Sequence, residues 1–264
     1  MAQKIINKIL RKLRLIEKHD PFINEKLEDL EFKIQKISNN KILNGHYKDT
    51  YLSCKTNWKS RDHCPKLLGI YEHQVQEKII QEKKKNNLAY IVNFGAADGY
   101  HILGLIKNSF FEKGYAFEID QKTKKYLEEN MFKNNLSDKI RIFNEANFDV
   151  VFQNIPENEL RKTLFLFDIE GQEYEILSDD ILKKLMNSYL IIENHDFMQT
   201  NKNLIIAFQK NIEKYFNIEI IEQSSKNPFK IEELKSFNEL EKWLMMNEGR
   251  PQSMNWIYLT PKHK

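Results

Sequence analysis

The stretch Tyr90–Ile102, "YIVNFGAADGYHI", decides how this chain is read. An apolar run ends at Gly95, and Gly99 follows four positions later, where a helical pattern begins. A strand that passes through a glycine turn into a helix is how nucleotide-type cofactors are held. A dinucleotide turn prefers G-x-G-x-x-G, whose middle glycine lets the backbone approach a pyrophosphate. Here the middle position is Ala97. The turn therefore suits a bulkier, phosphate-free ligand and disfavours an NAD-type oxidoreductase. Taken alone, such a turn is often only a tight connection.

The pattern around this turn is regular. "LLGIYEHQVQEKIIQEKK", from Leu67, predicts a helix that ends in lysines before Asn86 and Asn87. Short apolar runs then alternate with helical ones. The strands are "AYIVNFG", "GYAFEID", "KIRIFNE", "TLFLFDIEG", "SYLIIENHD", "FNIEIIE" and "MNWIYLT", with helices starting near His101, Gln121, Asn147, Glu173, Asn201 and Ile231. Continuous apolar strands are what a parallel sheet covered on both faces requires. The expected fold is a doubly wound α/β architecture, whose ligands bind beyond the C-terminal strand ends.

Those ends carry the chemistry. After the second strand, Glu118 is placed to accept both ribose hydroxyls of a nucleoside, with Asp120 as the better helix cap. After the third, Asn144, Glu145 and Asn147 can face an adenine edge, and Asn147 can equally cap the next helix. The fourth strand runs into "LFDIEGQE", which holds Asp168, Glu170, Glu173 and Glu175. Glu173 and Glu175 fit a helix N-terminus. Asp168 does not, since a carboxylate at the end of a buried strand needs a cation, metal or donor. The fifth strand ends in Glu193, Asn194, His195 and Asp196 and should lie beside the fourth, so Asp168 and Glu193 can share a cleft. His195, flanked by acids, is a candidate general base, because imidazole titrates near working pH.

The flanking segments are less regular. Ile5, Ile9, Leu13 and Ile16, then Leu27, Leu30, Ile34 and Ile37, predict two amphipathic helices joined at Pro21 within residues 1–45. They are expected to pack on the main domain or on a second copy, which makes a homodimer an expectation. Lys4, Lys8, Arg11, Lys12 and Arg14 offer a membrane-surface reading instead. Residues 46–66 read as a loop region facing substrate; its His46, Cys54, His63 and Cys64 match no zinc-finger spacing. Two cysteines build no disulfide framework, so a reducing cytoplasm is expected. The N-terminus is too charged for a signal peptide, and no apolar run approaches the ~20 residues of a membrane span. The 264 residues, 41% apolar and 30% charged, suit one large domain with an appendage. A net charge of +3, from 41 basic and 38 acidic residues, does not call for nucleic acid as a partner.

From about Leu67 to its end the chain resembles class I S-adenosylmethionine-dependent methyltransferases, particularly the FkbM-like type. The resemblance is carried by "VNFGAADGY", "GYAFEID", "LFLFDIEGQEYEIL" and "LIIENHDF", in order and spacing. "PKLLGIYEHQV" looks like the segment before the cofactor turn in relatives that act on sugars, and "NEGRPQSMNWIYLTPK" resembles their closing strand. The resemblance implies that residues 67–264 form a Rossmann-like seven-stranded sheet, mostly parallel, with the last strand inserted antiparallel. It also implies S-adenosylmethionine as cofactor and O-methylation as the reaction. Asn93, Gly95, Ala97, Gly99 and Asp168 would then line the cofactor, Glu118 would bind its ribose, and Asn144 and Glu145 its adenine. Asn93 stands where many relatives carry an acid, but its amide still accepts a hydrogen bond.

Asp168, Glu193 and Asn194 also resemble the oxygen ligands of metal-dependent O-methyltransferases, which hold Mg2+ or another divalent metal. His195, Asp168 and Glu170 are the candidate catalytic residues. Tyr71, Glu72, His63 and Arg250 are the candidate substrate contacts. The implied acceptor is a sugar linked to a nucleotide diphosphate, destined for a capsule or another surface glycan. His46, Lys55, Lys59, Arg61, His63 and Lys66 are placed to meet its phosphates. No "DPPY"-like stretch follows the fourth strand, so base methylation of nucleic acid is not expected. The alternatives are a non-catalytic interaction module on a degenerate form of the same fold and an O-methyltransferase of another small molecule.

Overall fold

The computed structural model describes residues 21–53, 62–250 and 252–262. Its seven strands are β1 (Tyr90–Phe94), β2 (Lys113–Phe117), β3 (Ile140–Phe143), β4 (Thr163–Phe167), β5 (Tyr189–Glu193), β6 (Phe216–Glu222) and β7 (Asn255–Pro261). They form one sheet in the order β3-β2-β1-β4-β5-β7-β6. Neighbours from β3 to β5 pair in parallel, and β7 is antiparallel to both β5 and β6. This is the mostly parallel seven-stranded arrangement, with the last strand inserted antiparallel, that the resemblance implies.

Alternation along the strands sends side chains into two cores. Ile91, Ala116, Leu164 and Ile191 pack on one face with Leu30, Ile34, Ile79 and Leu103. Val92, Phe94, Phe117 and Phe167 pack on the other with Phe148, Phe208 and Ile212. Phenylalanine rings lie across that second face, Phe94 4.6 Å from Phe117 and 4.9 Å from Phe167. Helix Pro21–Ser38 belongs to the same body: Leu27, Leu30 and Ile34 are buried, while Ile37 is exposed. The expected first helix, with its basic stripe, lies outside the described residues. Among those residues no helix is long and apolar enough to cross a membrane.

Two local expectations are corrected, and one helix is added. The helix read from Leu67 is two helices, His63–Leu68 and His73–Asn86, so residues 63–66 are helical rather than loop. Gly69 separates them at φ +76, where a Cβ would lie 1.9 Å from the Asn44 carbonyl oxygen, and Glu72 is left-handed as well. That backbone contact overrides helical propensity. Near Ile231 there are only short 3-10 turns, and the helix is Glu239–Leu244, set by an Asn238–Glu241 capping box. Helix Asp179–Lys184, capped by Ser178, was not foreseen.

The glycines of the β1 turn answer to packing. A Cβ on Gly95, at φ +75, would lie 1.7 Å from the Asp168 carbonyl oxygen, and one on Gly99 would lie 2.5 Å from Leu127. Gly95 therefore lets the β1 turn close against the end of β4. Gly95→Ala should combine overpacking of about 1–3 kcal/mol with left-handed strain of about 1–3 kcal/mol. A clear drop in the urea midpoint is expected, and an unchanged midpoint would refute the close approach.

Candidate functional site

The turn after β1 is braced by the end of β2. Glu118 is 6% exposed; its Oε2 accepts the Ala97 N–H at 2.9 Å and its Oε1 accepts the Asp120 N–H at 2.8 Å. Burial pushes this carboxyl up against the opposing pull of those two donors. Ala97 sits at φ +48, so Glu118 stabilises a strained turn. Asp120 caps the next helix, accepting the Thr123 N–H at 2.7 Å.

The ends of β4 and β5 meet beside this turn. Asp168 follows β4, Glu193 closes β5, and His195 lies two residues on, so Glu193 and His195 share a face. The Nε2 of His195 is 3.8 Å from Asp168, 3.7 Å from Glu170 and 3.9 Å from Glu193. Behind the ring, Nδ1 is 3.3 Å from Glu173 Oε1. Glu173 is fully buried, and the same oxygen accepts the Ile169 N–H at 2.8 Å. Burial lowers the His195 pKa, but Glu173, Asp168 and Glu170 together raise it above 6.5. Burial and Glu72 raise Asp168, and burial and Asp168 raise Glu193, since carboxylates this close do not all ionise easily.

A second charged group roofs the cleft. The Arg250 guanidinium binds Glu72 and Glu193 with its two terminal nitrogens and Glu248 through Nε at 3.0 Å. It lies over the rings of Tyr71, at 5.5 Å, and Trp256, at 5.1 Å. Glu72 contacts His101 Nε2 at 2.9 Å, and His101 Nδ1 contacts the Tyr47 hydroxyl at 3.1 Å. Burial opposes ionisation of Glu72, but Arg250 and His101 outweigh it and hold the carboxyl below the usual range. On the turn side, Lys66 is buried between Asp62, at 2.7 Å, and Asp98, at 3.0 Å.

These groups enclose a cavity of ≈ 40 Å³ lined by Tyr71, Glu72, Asn93, Gly95–Asp98, Asp168 and Trp256, among others. A polar cavity of ≈ 280 Å³ lies across Arg250, lined by His73, Gln223, Ser224, Lys226 and Ser253, among others. Another cleft, ≈ 1170 Å³, includes Asn87, Arg161 and Tyr189 and opens at the opposite end of the strands. Strand-end chemistry does not converge there.

Of the residues singled out in the sequence, Tyr71, Glu72, Asn93, Gly95, Ala97, Asp168, Glu193, His195 and Arg250 come together. Glu170 is mostly exposed at the rim, with φ +55. Others are engaged elsewhere. Asn144 is exposed and accepts from Lys124 at 2.7 Å, and Glu145 is exposed beside it. Asn147 caps its helix. The Asn194 amide oxygen accepts the Tyr174 hydroxyl at 2.7 Å and its nitrogen donates to Asn255 at 3.0 Å, so it turns away from Asp168 and Glu193. His63 faces Glu31 at 3.2 Å, and His46 packs edge-on against Phe110. Cys64 is buried, while Cys54, Lys55, Lys59 and Arg61 lie outside the described residues. Sequence reading missed Asp98, His101, Glu248 and the inward role of Glu173. Only Asp98, inside the glycine turn, carried a local signal.

No protein-family model and no curated protein matches the chain. Among solved structures it is similar to an O-methyltransferase from Bacillus cereus in complex with SAH, at 10% identity over 99% of this chain and 100% of that one, TM-score 0.49. It is similar to an rRNA methylase from Streptococcus thermophilus, at 10% identity over 72% and 96%, TM-score 0.47. It is also similar to a precorrin-6y C5,15-methyltransferase from Geobacter metallireducens, at 11% identity over 72% and 89%, TM-score 0.44. Likeness of this order does not reach the chemistry of the site.

Proposed function

We propose that the protein is an S-adenosylmethionine-dependent O-methyltransferase acting on a sugar hydroxyl, with a nucleotide-linked sugar of surface-glycan synthesis as the acceptor. The observation that carries the reading is the strand order with β7 inserted antiparallel, with Asp168, Glu193 and His195 meeting at the strand ends beside the glycine turn. The resemblance read from the sequence anticipates that topology. Asp168 is the lining acid that supports a cationic, hydroxylated cofactor, since Glu72 is already held by Arg250 and His101 and Asp98 by Lys66. Asn93 lines the cavity with an amide that can accept from an ammonium group. Each Glu118 oxygen keeps a further lone pair for a ribose hydroxyl. When bound, the cofactor supplies an electrophilic methyl group on a sulfonium. Pockets for ligands of this size hold roughly 300–1,000 Å³, so the ≈ 40 Å³ cavity must widen to admit it.

An acceptor hydroxyl would be oriented by Asp168 and His195, which meet at the strand ends. His195 Nε2 would take the proton of that hydroxyl as its oxygen accepts the methyl group and the carbon–sulfur electron pair stays on sulfur. Orientation supplies most of the rate. The polar cavity across Arg250, with hydroxyl and amide groups and Lys226, supports a polyhydroxylated acceptor. His46, His63 and Lys66 give no support to a phosphate contact, since each is engaged elsewhere.

Calorimetric titration with S-adenosylmethionine and S-adenosylhomocysteine, with NADH as control, tests the cofactor. Binding of the first two is expected. Glu118→Ala should weaken it about 10–100-fold, the equivalent of lost hydrogen bonds to a charged group. Nucleotide sugars are then screened for methyl transfer. Absence of cofactor binding would overturn the enzymatic reading and favour an interaction module.

A further inference from the structure

We infer that Asp168, Glu193 and His195 form a binding site for a borderline divalent cation such as Mn2+ or Zn2+, with Glu173 as the residue that positions the histidine. Each of the three offers one donor atom, and these atoms lie within 4.8 Å of one another. The His195 Nε2 distances to its carboxylates, 3.7–3.9 Å, are too long for hydrogen bonds. Two donors each about 2.0–2.2 Å from a shared cation can stand up to about 4.2 Å apart. The distances from His195 to Asp168 and to Glu193 fall inside that limit.

An independent observation comes from the histidine. His195 is 3% exposed; its Nδ1 lies 3.3 Å from Glu173 Oε1 without good hydrogen-bond geometry, the buried Glu173 Oε2 has no partner, and its Nε2, which faces the acids, meets none of them within hydrogen-bond distance. Leaving buried polar groups unsatisfied is unfavourable unless something else organises them. A carboxylate behind one imidazole nitrogen, with the other facing acids, is how ligating histidines are oriented. A cation at Nε2 would keep the proton on Nδ1, facing Glu173. Alternation along the chain puts residues 193 and 195 on one face and 194 on the other. Hence the ligand set is Asp168, Glu193 and His195 in place of Asp168, Glu193 and Asn194. Arg250 occupies Oε1 of Glu193, whereas Oε2 faces His195.

Mixed imidazole and carboxylate donors suit Mn2+ or Zn2+ better than Mg2+, which prefers oxygen. A bound cation would lower the pKa of an acceptor hydroxyl, the task otherwise left to His195. The two uses of Nε2 exclude one another, so affinity should fall as the solution is acidified.

The test is an Mn2+ titration of chelator-treated full-length protein, with free Mn2+ read by electron paramagnetic resonance and Mg2+ as competitor. One site per chain is expected. His195→Ala should abolish it, Glu173→Gln should weaken it about 10–100-fold, and Asn194→Ala should leave it unchanged. Asp168→Asn, at a partly exposed side chain, gives a second ligand test if the histidine variant does not fold, and circular dichroism of each metal-free variant checks the fold. Failure of the wild type to bind, or full binding by His195→Ala, would overturn the site. Loss in Asn194→Ala with the fold intact would overturn the ligand set. Calorimetry with S-adenosylhomocysteine on metal-free protein keeps failure of the metal site distinct from failure of the methyltransferase reading.

Discussion

Arg250→Ala is expected to lower the free energy of unfolding by about 3–5 kcal/mol, the usual effect of removing one partner from a buried ion pair. The guanidinium is mostly buried, its side chain 11% exposed, against Glu72, Glu193 and Glu248 and covered by Tyr71 and Trp256. Without it three carboxylates face each other in a poorly solvated cleft. The desolvation already spent on them is no longer offset. Arg250→Lys should recover only part of the loss, because a single ammonium cannot bridge three acids as a planar fork does. Urea denaturation at neutral pH provides the measurement, and a loss below about 1 kcal/mol, the range of exposed pairs, would show that the cluster does not hold the cleft together.

The same group sets an acid response. Glu72 has a folded pKa below its ordinary 4.5. A depressed carboxyl contributes stability that is present above the ordinary value and lost as the pH falls from there through the folded value. Subtracting the stability–pH curve of Glu72→Gln from that of the wild type should show a difference that shrinks as pH falls below about 4.5. With Arg250→Ala as background the difference should largely vanish. A wild-type difference that grows on acidification would contradict the assignment of Arg250 as the cause.

On the proposed methyltransferase function, His195→Ala is expected to reduce methyl transfer by about 10²–10⁴-fold, the usual contribution of a positioned base. Its pKa is raised above 6.5, so the rate should climb with pH through a midpoint above that value, because only the deprotonated ring accepts a proton. Glu173→Gln should move the midpoint down, since Glu173 is the foremost of the groups raising it. Single-turnover rates across pH measure both effects. A His195→Ala enzyme with an undiminished rate would remove the histidine from the chemistry, whether it carries a proton or a cation.

The strands were legible because continuous apolar runs ending in Gly, Asp, Glu or Asn are a local pattern, and five-residue elements such as Tyr90–Phe94 and Thr163–Phe167 follow it. The adjacency of Asp168 and Glu193 was legible too, since β4 and β5 are joined by one short crossover and right-handed connections keep such strands together. Helix caps such as Asp120 and Asn147 were visible for the same local reason, although Asn147 alone did not separate a cap from an adenine contact. The break at Gly69 was not visible: what forbids a side chain there is the Asn44 carbonyl, a contact across the fold.

The sequence by itself determined the α/β alternation, the glycine turn and the acids at the strand ends, since each depends on neighbours a few positions apart. Tertiary structure alone decided which of those acids meet and what compensates them. Arg250 finds Glu193 at a separation of 57 residues and Glu72 at 178. Glu173 turns inward to His195 instead of serving only the start of its helix, and Lys66 sinks between Asp62 and Asp98 instead of reaching solvent. Buried charges choose partners by proximity in the folded chain, because desolvation penalises every one left alone. That proximity exists only once the sheet has formed.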